Sequence, residues 1–196
     1  MAVTEPIVLL DEHRWIRAAQ DGDLAAFNQI VERYQSLAYN VAYRSLGHPE
    51  DAADATQDAF ISAYRAIQSY RGGSFKGWLL RIVVNACHDL RRRAQRRPST
   101  SMDALVDELG EAPWPDDGAI DPQQAALSSE ERAQLERAIA TLGEEQRLTL
   151  LLVDAQGLSY EEAAEAMQCP IGTVRSRLAR ARAHLRDTLL QDGNLL

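Results

Sequence analysis

Two clusters of arginine are the strongest chemical signal in this sequence. They comprise Arg91, Arg92, Arg93, Arg96 and Arg97 in the middle of the chain, and Arg175, Arg177, Arg180, Arg182 and Arg186 near its end. Neither span contains an acidic residue, although the formal net charge of the chain is -8. The planar guanidinium group suits bidentate contacts with phosphate or guanine. The clusters therefore predict two nucleic-acid-binding surfaces on an acidic protein.

A polar stripe leads into the first cluster. On a helix that begins near Phe75, the predicted buried side consists of Leu79, Ile82, Val83, Ala86 and Leu90. The stripe consists of Arg81, Asn85, His88 and Arg92. A glycine-rich loop, Arg71 to Ser74, precedes this helix. Loop and stripe together could hold an unpaired base and its phosphates, and the alternative is a solvated helix face after a loop.

The second cluster lies in a segment with the pattern of a helix-turn-helix. Residues 159–186 predict a capped short helix, a tight connection through Cys169, Pro170, Ile171 and Gly172, and a second helix. Val174, Leu178, Ala181 and Leu185 are expected to pack inward, opposite Thr173, Ser176, Ala179, Arg180 and Ala183. Small residues beside arginines allow a helix to approach a DNA groove closely. The alternative is a solvated arginine-rich helix that covers a partner.

These two surfaces need elements to position them, and the pattern along the chain is helical. Apolar residues recur at three- and four-residue spacing from Asp11 to about Gln95. Between Pro98 and Pro122 the sequence is proline-punctuated and acidic. Helical signals then resume, with capping boxes at Ser128 and Ser159 and a helix stop at Gly157. We therefore expect an all-α fold: two small helical domains joined by a flexible acidic linker, the second with a helix-turn-helix.

Composition excludes several other classes. No run of about eighteen apolar residues is present, and the N-terminus lacks a basic segment, so direct membrane insertion is not expected. The cysteines, Cys87 and Cys169, are far apart and are predicted to be reduced thiols, with no metal site and no cofactor. The four histidines are scattered, and no nucleophile and base pair can be proposed, so an enzyme is not expected.

Four segments in series carry a family resemblance. They are GDLAAFNQIVERY (22–34), DAADATQDAFISAYRAI (51–67), SFKGWLLRIVVNACHDLRRR (74–93) and LSYEEAAEAMQCPIGTVRSRLARAR (158–182). In this order they resemble the signatures of bacterial extracytoplasmic-function (ECF) sigma factors of the sigma-70 family. With the intervening helices they account for most of the chain outside the linker. The resemblance implies sigma region 2 at residues 11–97, the linker at 98–125 and sigma region 4 at 126–192.

The resemblance also implies roles for individual residues. It implies minus-ten element recognition by the loop residues Ser69, Tyr70, Arg71, Gly72, Gly73 and Ser74 together with Asn85. From the polar stripe we expect Arg81, His88 and Arg92 to take part as well. The resemblance implies minus-thirty-five element recognition by Arg175, Ser176, Ala179 and Arg180. From the helix face and the arginine cluster we expect Thr173, Arg177 and Arg182 to contribute as well. The resemblance implies docking on the polymerase by Asp51, Asp54, Gln57, Asp58, Phe60 and Ile61. Position 179 is alanine where some relatives carry a larger side chain. The base preference of those relatives at this position therefore cannot be assigned to this chain.

The expected partners are core RNA polymerase, promoter DNA and an anti-sigma factor, in the cytoplasm. The resemblance implies contacts with the clamp helices of the largest polymerase subunit and with the beta flap. The linker either acts as a solubilising tether or runs through the active-site channel. Roughly 25 extended residues reach about 80 Å, enough for promoter elements about 70 Å apart. The competing interpretation, a stand-alone helix-turn-helix regulator, needs a sensing or receiver domain, and no receiver pattern is present.

Overall fold

The computed structural model describes residues 5–96 and 129–191, and within these ranges it is built from helices. The N-terminal half contains α1 (Glu5–Gln20), α2 (Leu24–Leu46), α3 (Pro49–Ala66), a 3₁₀ turn (Ile67–Ser69) and α4 (Phe75–Arg96). The C-terminal half contains α5 (Ser129–Ala140), α6 (Glu144–Leu150), a π turn (Leu151–Ala155), α7 (Tyr160–Ala166) and α8 (Ile171–Gln191). The all-α expectation is confirmed. The linker at 98–125 and the capping residue Ser128 lie outside the described residues.

Local signals explain where several of these helices begin and end. The side chain of Asp23 accepts hydrogen bonds from the backbone N–H groups of Ala25 and Ala26, which caps α2. Gly47 ends α2 with a φ of 81°, a left-handed conformation that favours glycine. Ser159 and Glu162 form the predicted capping box at the start of α7.

Helix α4 lies at the centre of the fold, where it packs against α2, α3 and α7. The predicted core residues Leu79 and Val83 are buried, and Ile82, Ala86 and Leu90 are half-buried against the same core. A second side of the helix, Leu80, Val84 and Cys87, is fully buried as well. The apolar periodicity of the sequence did not predict this second buried side. Burying a side chain such as leucine or valine stabilises a fold by about 1.5–3 kcal/mol.

The helix-turn-helix is present, with one correction to its predicted boundaries. Ile171 and Gly172 are the first residues of α8 and are not part of the connection, which runs from Met167 to Pro170. Gln168 turns the chain there with a φ of 51°. Hydrogen bonds from the Thr173 and Val174 N–H groups to the Pro170 carbonyl start the helix immediately after the proline. The predicted inward-facing residues are confirmed: Val174, Leu178 and Ala181 are buried, and Leu185 is half-buried.

The two halves of the chain share a hydrophobic core. Buried residues of α6, the π turn, α7 and α8 belong to the same cluster as the core of the N-terminal half, and they include Leu148, Leu151, Leu152, Ala163, Ala166, Met167 and Val174. A smaller second core lies within the C-terminal half and consists of Ile139, Leu142, Leu150, Leu178 and Ala181. We call the contact between the halves the interdomain seam. The sequence pattern predicted two domains but no contact between them.

Both cysteines are free thiols in the structure. Burial raises the pKa of the Cys87 thiol to about 11, so this thiol is protonated at neutral pH. In the two described segments no helix is long and apolar enough to cross a membrane. Across the same segments, no three histidine, cysteine or acidic side chains are grouped so that they could hold a metal ion.

A buried polar contact holds α1 on α2. The carboxylate of Glu12 is only 7% exposed as a residue, and it accepts a hydrogen bond of 2.6 Å from the Tyr34 hydroxyl. The guanidinium Nε of Arg33 also donates to this carboxylate, at 3.2 Å. Burial, followed by the bond to Glu12, raises the pKa of Tyr34 well above its usual value. The phenol therefore stays neutral and acts as a donor.

The buried contact can be tested by removing one oxygen atom. We expect Tyr34→Phe to lower the free energy of unfolding by about 1–3 kcal/mol, because it deprives a buried carboxylate of a donor. Urea denaturation measures this loss. The control is Tyr39→Phe, which should leave the free energy of unfolding nearly unchanged. The Tyr39 ring stacks on Tyr43, with 6.1 Å between the ring centroids. Equal stability of the two variants would contradict the role given to the Tyr34 hydroxyl.

Candidate nucleic-acid interface

The glycine-rich loop between α3 and α4 is exposed and has a defined backbone shape. Gly72 and Gly73 have φ angles of 102° and 91°, in the left-handed region that other residues rarely adopt. The Tyr70 hydroxyl donates to the Gly73 carbonyl at 2.7 Å, and the Ser69 hydroxyl donates to the Ala66 carbonyl at 2.6 Å. The loop therefore closes on itself and leaves Arg71 exposed.

Helix α1 anchors the start of this loop. The side-chain amide of Gln20 donates to the Ile67 carbonyl at 3.0 Å and to the Tyr70 carbonyl at 2.9 Å. Aromatic contacts hold the other side of the loop. The centroid of the Tyr70 ring lies 5.3 Å from that of Phe75 and 5.5 Å from that of Trp78. The role of Gln20 was not predicted, because a single glutamine in a helix carries no pattern that reveals a partner about fifty residues away.

Ser74 joins the loop to α4. Its hydroxyl oxygen accepts a hydrogen bond of 2.9 Å from the backbone N–H of Gly77, in the first turn of the helix. This bond satisfies one of the unpaired donors at the helix N-terminus. The loop therefore ends at a fixed point beside the polar stripe.

The structure brings the predicted polar stripe onto one side of α4, next to the loop. Arg81 and Arg92 are exposed, while Asn85 and His88 are half-buried. Arg92 contacts Asp89 one turn earlier. Arg81 faces Glu165 of α7, with 3.7 Å between Nη1 and Oε2. Burial lowers the pKa of the His88 imidazole, so this ring is neutral at pH 7 and can donate or accept a hydrogen bond.

The second candidate surface is the exposed face of α8. Arg175 and Arg180 are exposed, and so is Ala179, which lies between them on the helix. The Arg175 guanidinium lies 5.7 Å from the centre of the Tyr160 ring, and the Arg180 guanidinium reaches the Ser176 hydroxyl at 3.5 Å. Thr173 and Ser176 are half-buried beside them. These side chains form a narrow face with positive charge at its edges.

Two other arginines of α8 are held by acids of the C-terminal half. Arg177 pairs with Glu145 at 2.7 Å, and the half-buried position of its side chain fixes its direction. Arg182 makes two bonds to the Asp154 carboxylate, at 2.9 and 2.6 Å, which raise the pKa of its guanidinium. Exposed ion pairs contribute only about 0–1 kcal/mol to the stability of a fold. A phosphate can therefore compete with the Asp154 carboxylate for Arg182.

Helix α3 presents the face predicted to dock on the polymerase. Asp54, Gln57 and Asp58 are exposed, and Ile61 is 43% exposed. Tyr64, one turn further, is 41% exposed and packs edge-on against Phe27. By contrast, Phe60 is buried in the core and Asp51 is half-buried. Apolar contact with a partner at this face therefore falls to Ile61 and Tyr64.

Comparisons with known proteins agree with this geometry. The family model described as Sigma-70 region 2 matches residues 30–97, and the model described as Sigma-70, region 4 matches residues 132–185. The ECF RNA polymerase sigma-E factor of Escherichia coli strain K12 is 41% identical over 169 residues, which cover 85% of this chain and 88% of the relative. The chain belongs to the ECF group of the sigma-70 family.

Further relatives of this ECF sigma factor span both halves. The ECF RNA polymerase sigma factor SigE of Mycolicibacterium smegmatis is 39% identical over 176 residues, covering 88% of this chain and 66% of the relative. Two solved structures are similar. One is the structure of CnrH in complex with the cytosolic domain of CnrY. It matches with a TM-score of 0.59 and 26% sequence identity, and the match covers 94% of this chain and 99% of that chain. The other is the structure of the sigma factor RpoE in complex with the anti-sigma factor NepR from Bartonella quintana. It matches with a TM-score of 0.64 and 27% sequence identity, and the match covers 83% of this chain and 96% of that chain.

The family assignment places the loop and α4 in the match to region 2, and α8 in the match to region 4. Gln20 lies outside both matches, yet it holds the loop of region 2 in place. Glu144 of α6 and Glu162 and Glu165 of α7 contact Arg91, Gly77 and Arg81 of α4. The sequence pattern did not reveal these contacts. One of these glutamates, Glu162, was recognised in the sequence only as a capping residue.

The anchor on the loop can be tested by proteolysis. We expect Gln20→Leu to increase the rate of tryptic cleavage at Arg71 about fivefold or more, because two hydrogen bonds of about 0.5–1.5 kcal/mol each no longer restrain the loop. The control is Gln29→Leu, at an exposed position of α2. Equal cleavage rates in the two variants would show that Gln20 does not restrain the loop.

Proposed function

We propose that this ECF sigma factor binds core RNA polymerase and directs promoter-specific initiation, without catalysing a reaction itself. In this proposal region 2 reads the minus-ten element and promotes melting, while region 4 reads the minus-thirty-five element. The observation that carries it is the exposed loop with two left-handed glycines, anchored by Gln20 and followed by the polar stripe. Such a site suits a base taken out of the duplex. The relatives' names, RNA polymerase sigma factors, support the same conclusion.

The exposed face of α3 is the proposed docking site for the clamp helices of the largest polymerase subunit, and region 4 is proposed to contact the beta flap. Asp54 and Asp58 are four residues apart, so they share a side of the helix beside Ile61. Asp58 also lies 3.5 Å from Arg93 of α4. This single exposed ion pair contributes little to the fold, so replacing the aspartate should leave the fold intact.

The docking proposal predicts the effect of a charge reversal. We expect Asp54→Arg with Asp58→Arg to weaken binding to core polymerase about tenfold or more, because like charges across an interface are strongly unfavourable. Co-elution with core polymerase and a titration by fluorescence anisotropy measure it. Asp21→Arg with Glu161→Arg changes the charge equally at exposed positions elsewhere and should bind normally.

A double variant that binds core polymerase as tightly as this control would reject the docking face. Complete absence of co-elution by the wild-type protein would instead favour the stand-alone helix-turn-helix regulator. The circular dichroism of both double variants shows whether the fold is retained.

On α8 we propose that Arg175 and Arg180 make the sequence-dependent contacts, since their side chains lie on the open face. Arg177 and Arg182 are proposed to contribute mainly through phosphates, after exchanging their carboxylate partners for DNA. A base contact from an arginine discriminates between sequences, whereas a phosphate contact does not. The acidic segment 98–125 is proposed to cross the active-site channel between the two regions.

Melting is proposed to depend on Asn85, whose amide has both a donor and an acceptor with which to read a base edge. We expect Asn85→Ala to keep core binding and closed-complex formation but to lose open complex on linear duplex. Flipping a base costs a few kcal/mol that the pocket must offset. Permanganate reactivity of promoter thymines measures opening, and a template pre-melted across the downstream element should restore much of the activity.

Asn28→Ala, at an exposed position of α2, is the control for this experiment and should open the duplex normally. Wild-type permanganate reactivity of Asn85→Ala on intact duplex would show that Asn85 is only a solvated helix residue. Loss of core binding by the same variant would show a folding defect instead.

The solved relatives include a sigma factor bound to the anti-sigma factor NepR and CnrH bound to the cytosolic domain of CnrY. We propose that this chain is likewise held inactive in the cytoplasm by an anti-sigma factor.

A further inference from the structure

Tyr160 lies at the edge of the exposed face of α8, beside two of its arginines. It is the first residue of α7, and its side chain is half-buried. The Arg175 guanidinium lies 5.7 Å from the centre of the Tyr160 ring. Arg182 follows Arg175 by seven residues, so the two arginines lie on the same side of α8. An aromatic side chain from another helix therefore contacts an arginine of the face that is proposed to read DNA.

The position of the Tyr160 ring is fixed by its surroundings. Ser159 and Glu162 form the capping box that starts α7 at this residue. Apolar side chains of both hydrophobic cores pack against the ring. A tyrosine has only two side-chain torsions to restrain, whereas an exposed arginine has many rotamers. The ring is therefore a fixed surface on which a flexible guanidinium can rest.

Arg182 has a stronger restraint than Arg175. It donates two hydrogen bonds to the Asp154 carboxylate, at 2.9 and 2.6 Å. These bonds are the main reason that the pKa of the Arg182 guanidinium is raised, and the Tyr160 side chain adds to the same shift. Within the described segments, the Arg175 guanidinium contacts the Tyr160 ring and no carboxylate. The direction of Arg175 therefore depends on this ring.

Arg180 is held in a different way. Its guanidinium reaches the Ser176 hydroxyl at 3.5 Å, one turn earlier on the same helix. This contact lies within α8, so it does not tie the Arg180 side chain to another element. The two exposed arginines of this face therefore differ in how their directions are set.

We propose that Tyr160 is a positioning residue for recognition of the minus-thirty-five element, and that its ring holds the Arg175 guanidinium toward a base edge before DNA binds. This inference rests on the proposed function, because it concerns how the same surface reads DNA. A guanidinium that rests on a ring keeps its N–H groups available for a bidentate contact with guanine. An arginine already held in one direction loses less conformational freedom on binding. Tyr160 thus strengthens one base contact and not DNA binding in general.

Substitutions of the ring test this role in the holoenzyme. Core polymerase with the wild-type chain first selects a duplex from a library randomised across the upstream element, and single-base variants of that duplex are then titrated. We expect Tyr160→Leu to reduce discrimination at one base pair about 2- to 5-fold, as loss of an exposed cation–π contact would do. Tyr160→Phe keeps the ring and should discriminate as the wild type does. The control is Tyr39→Leu, which removes a half-buried ring of α2 and should also discriminate normally.

A double-mutant cycle separates positioning from packing. Arg175→Ala should reduce discrimination at the same base pair, and the addition of Tyr160→Leu should cause no further loss there. Discrimination at the base pair that depends on Arg180, located with Arg180→Ala, should be unchanged in Tyr160→Leu. A ring that only packs the helix-turn-helix would instead weaken binding to all the duplexes alike.

Several outcomes would overturn the positioning role. Wild-type discrimination by Tyr160→Leu would do so, and so would an undiminished loss in the Arg175→Ala background, because Tyr160 would then act without Arg175. Arg175→Ala with no loss at any base pair would remove the contact on which the role depends. Where circular dichroism shows Tyr160→Leu to be unfolded, Tyr160→Met, a flexible side chain without a ring, takes its place. A wild-type holoenzyme that selects no sequence in the upstream element would overturn the proposed function itself.

Discussion

Burial of α4 on two sides is the constraint on which the rest of the structure depends. Leu79 and Val83 fill the core of the N-terminal half, while Leu80, Val84 and Cys87 are buried around the helix from them. The predicted polar stripe, with Arg81 and Asn85, lies on the sector of the helix that remains. Because the helix cannot rotate without exposing apolar side chains, the stripe and the preceding loop keep a fixed direction. Core packing therefore sets the direction of the proposed DNA surface.

Sequence periodicity predicted the fold well where one apolar side meets one core. The inward side of α8, with Val174, Leu178 and Ala181, is an example, and the Ser159 cap is another. Periodicity did not predict the contacts that depend on residues distant in the sequence. The second buried side of α4 and the tether from Gln20 both depend on elements distant in sequence, and a local pattern carries no information about such partners. The start of α8 at Ile171 was missed because a helix boundary is set by local hydrogen bonds.

The acidic net charge and the arginine surfaces are compatible because carboxylates and guanidinium groups are paired within the molecule. Arg177 and Arg182 already have carboxylate partners within the C-terminal half, and Arg81 and Arg91 have partners across the interdomain seam. Under the proposed function, DNA phosphates would replace these carboxylates, and binding would carry the free-energy cost of releasing the carboxylates to water. Arg175 and Arg180 are exposed and have no carboxylate partner among the described residues.

The π turn after α6 has a consequence for how the seam responds to temperature. Leu150 points into the small core of the C-terminal half, whereas the next two residues, Leu151 and Leu152, belong to the shared core. Separation of the two halves would therefore expose Leu151 and Leu152 to water, while Leu150 would stay packed in the small core. Exposure of apolar surface raises the heat capacity, and the attraction between apolar surfaces weakens on cooling. Cooling would therefore weaken the seam.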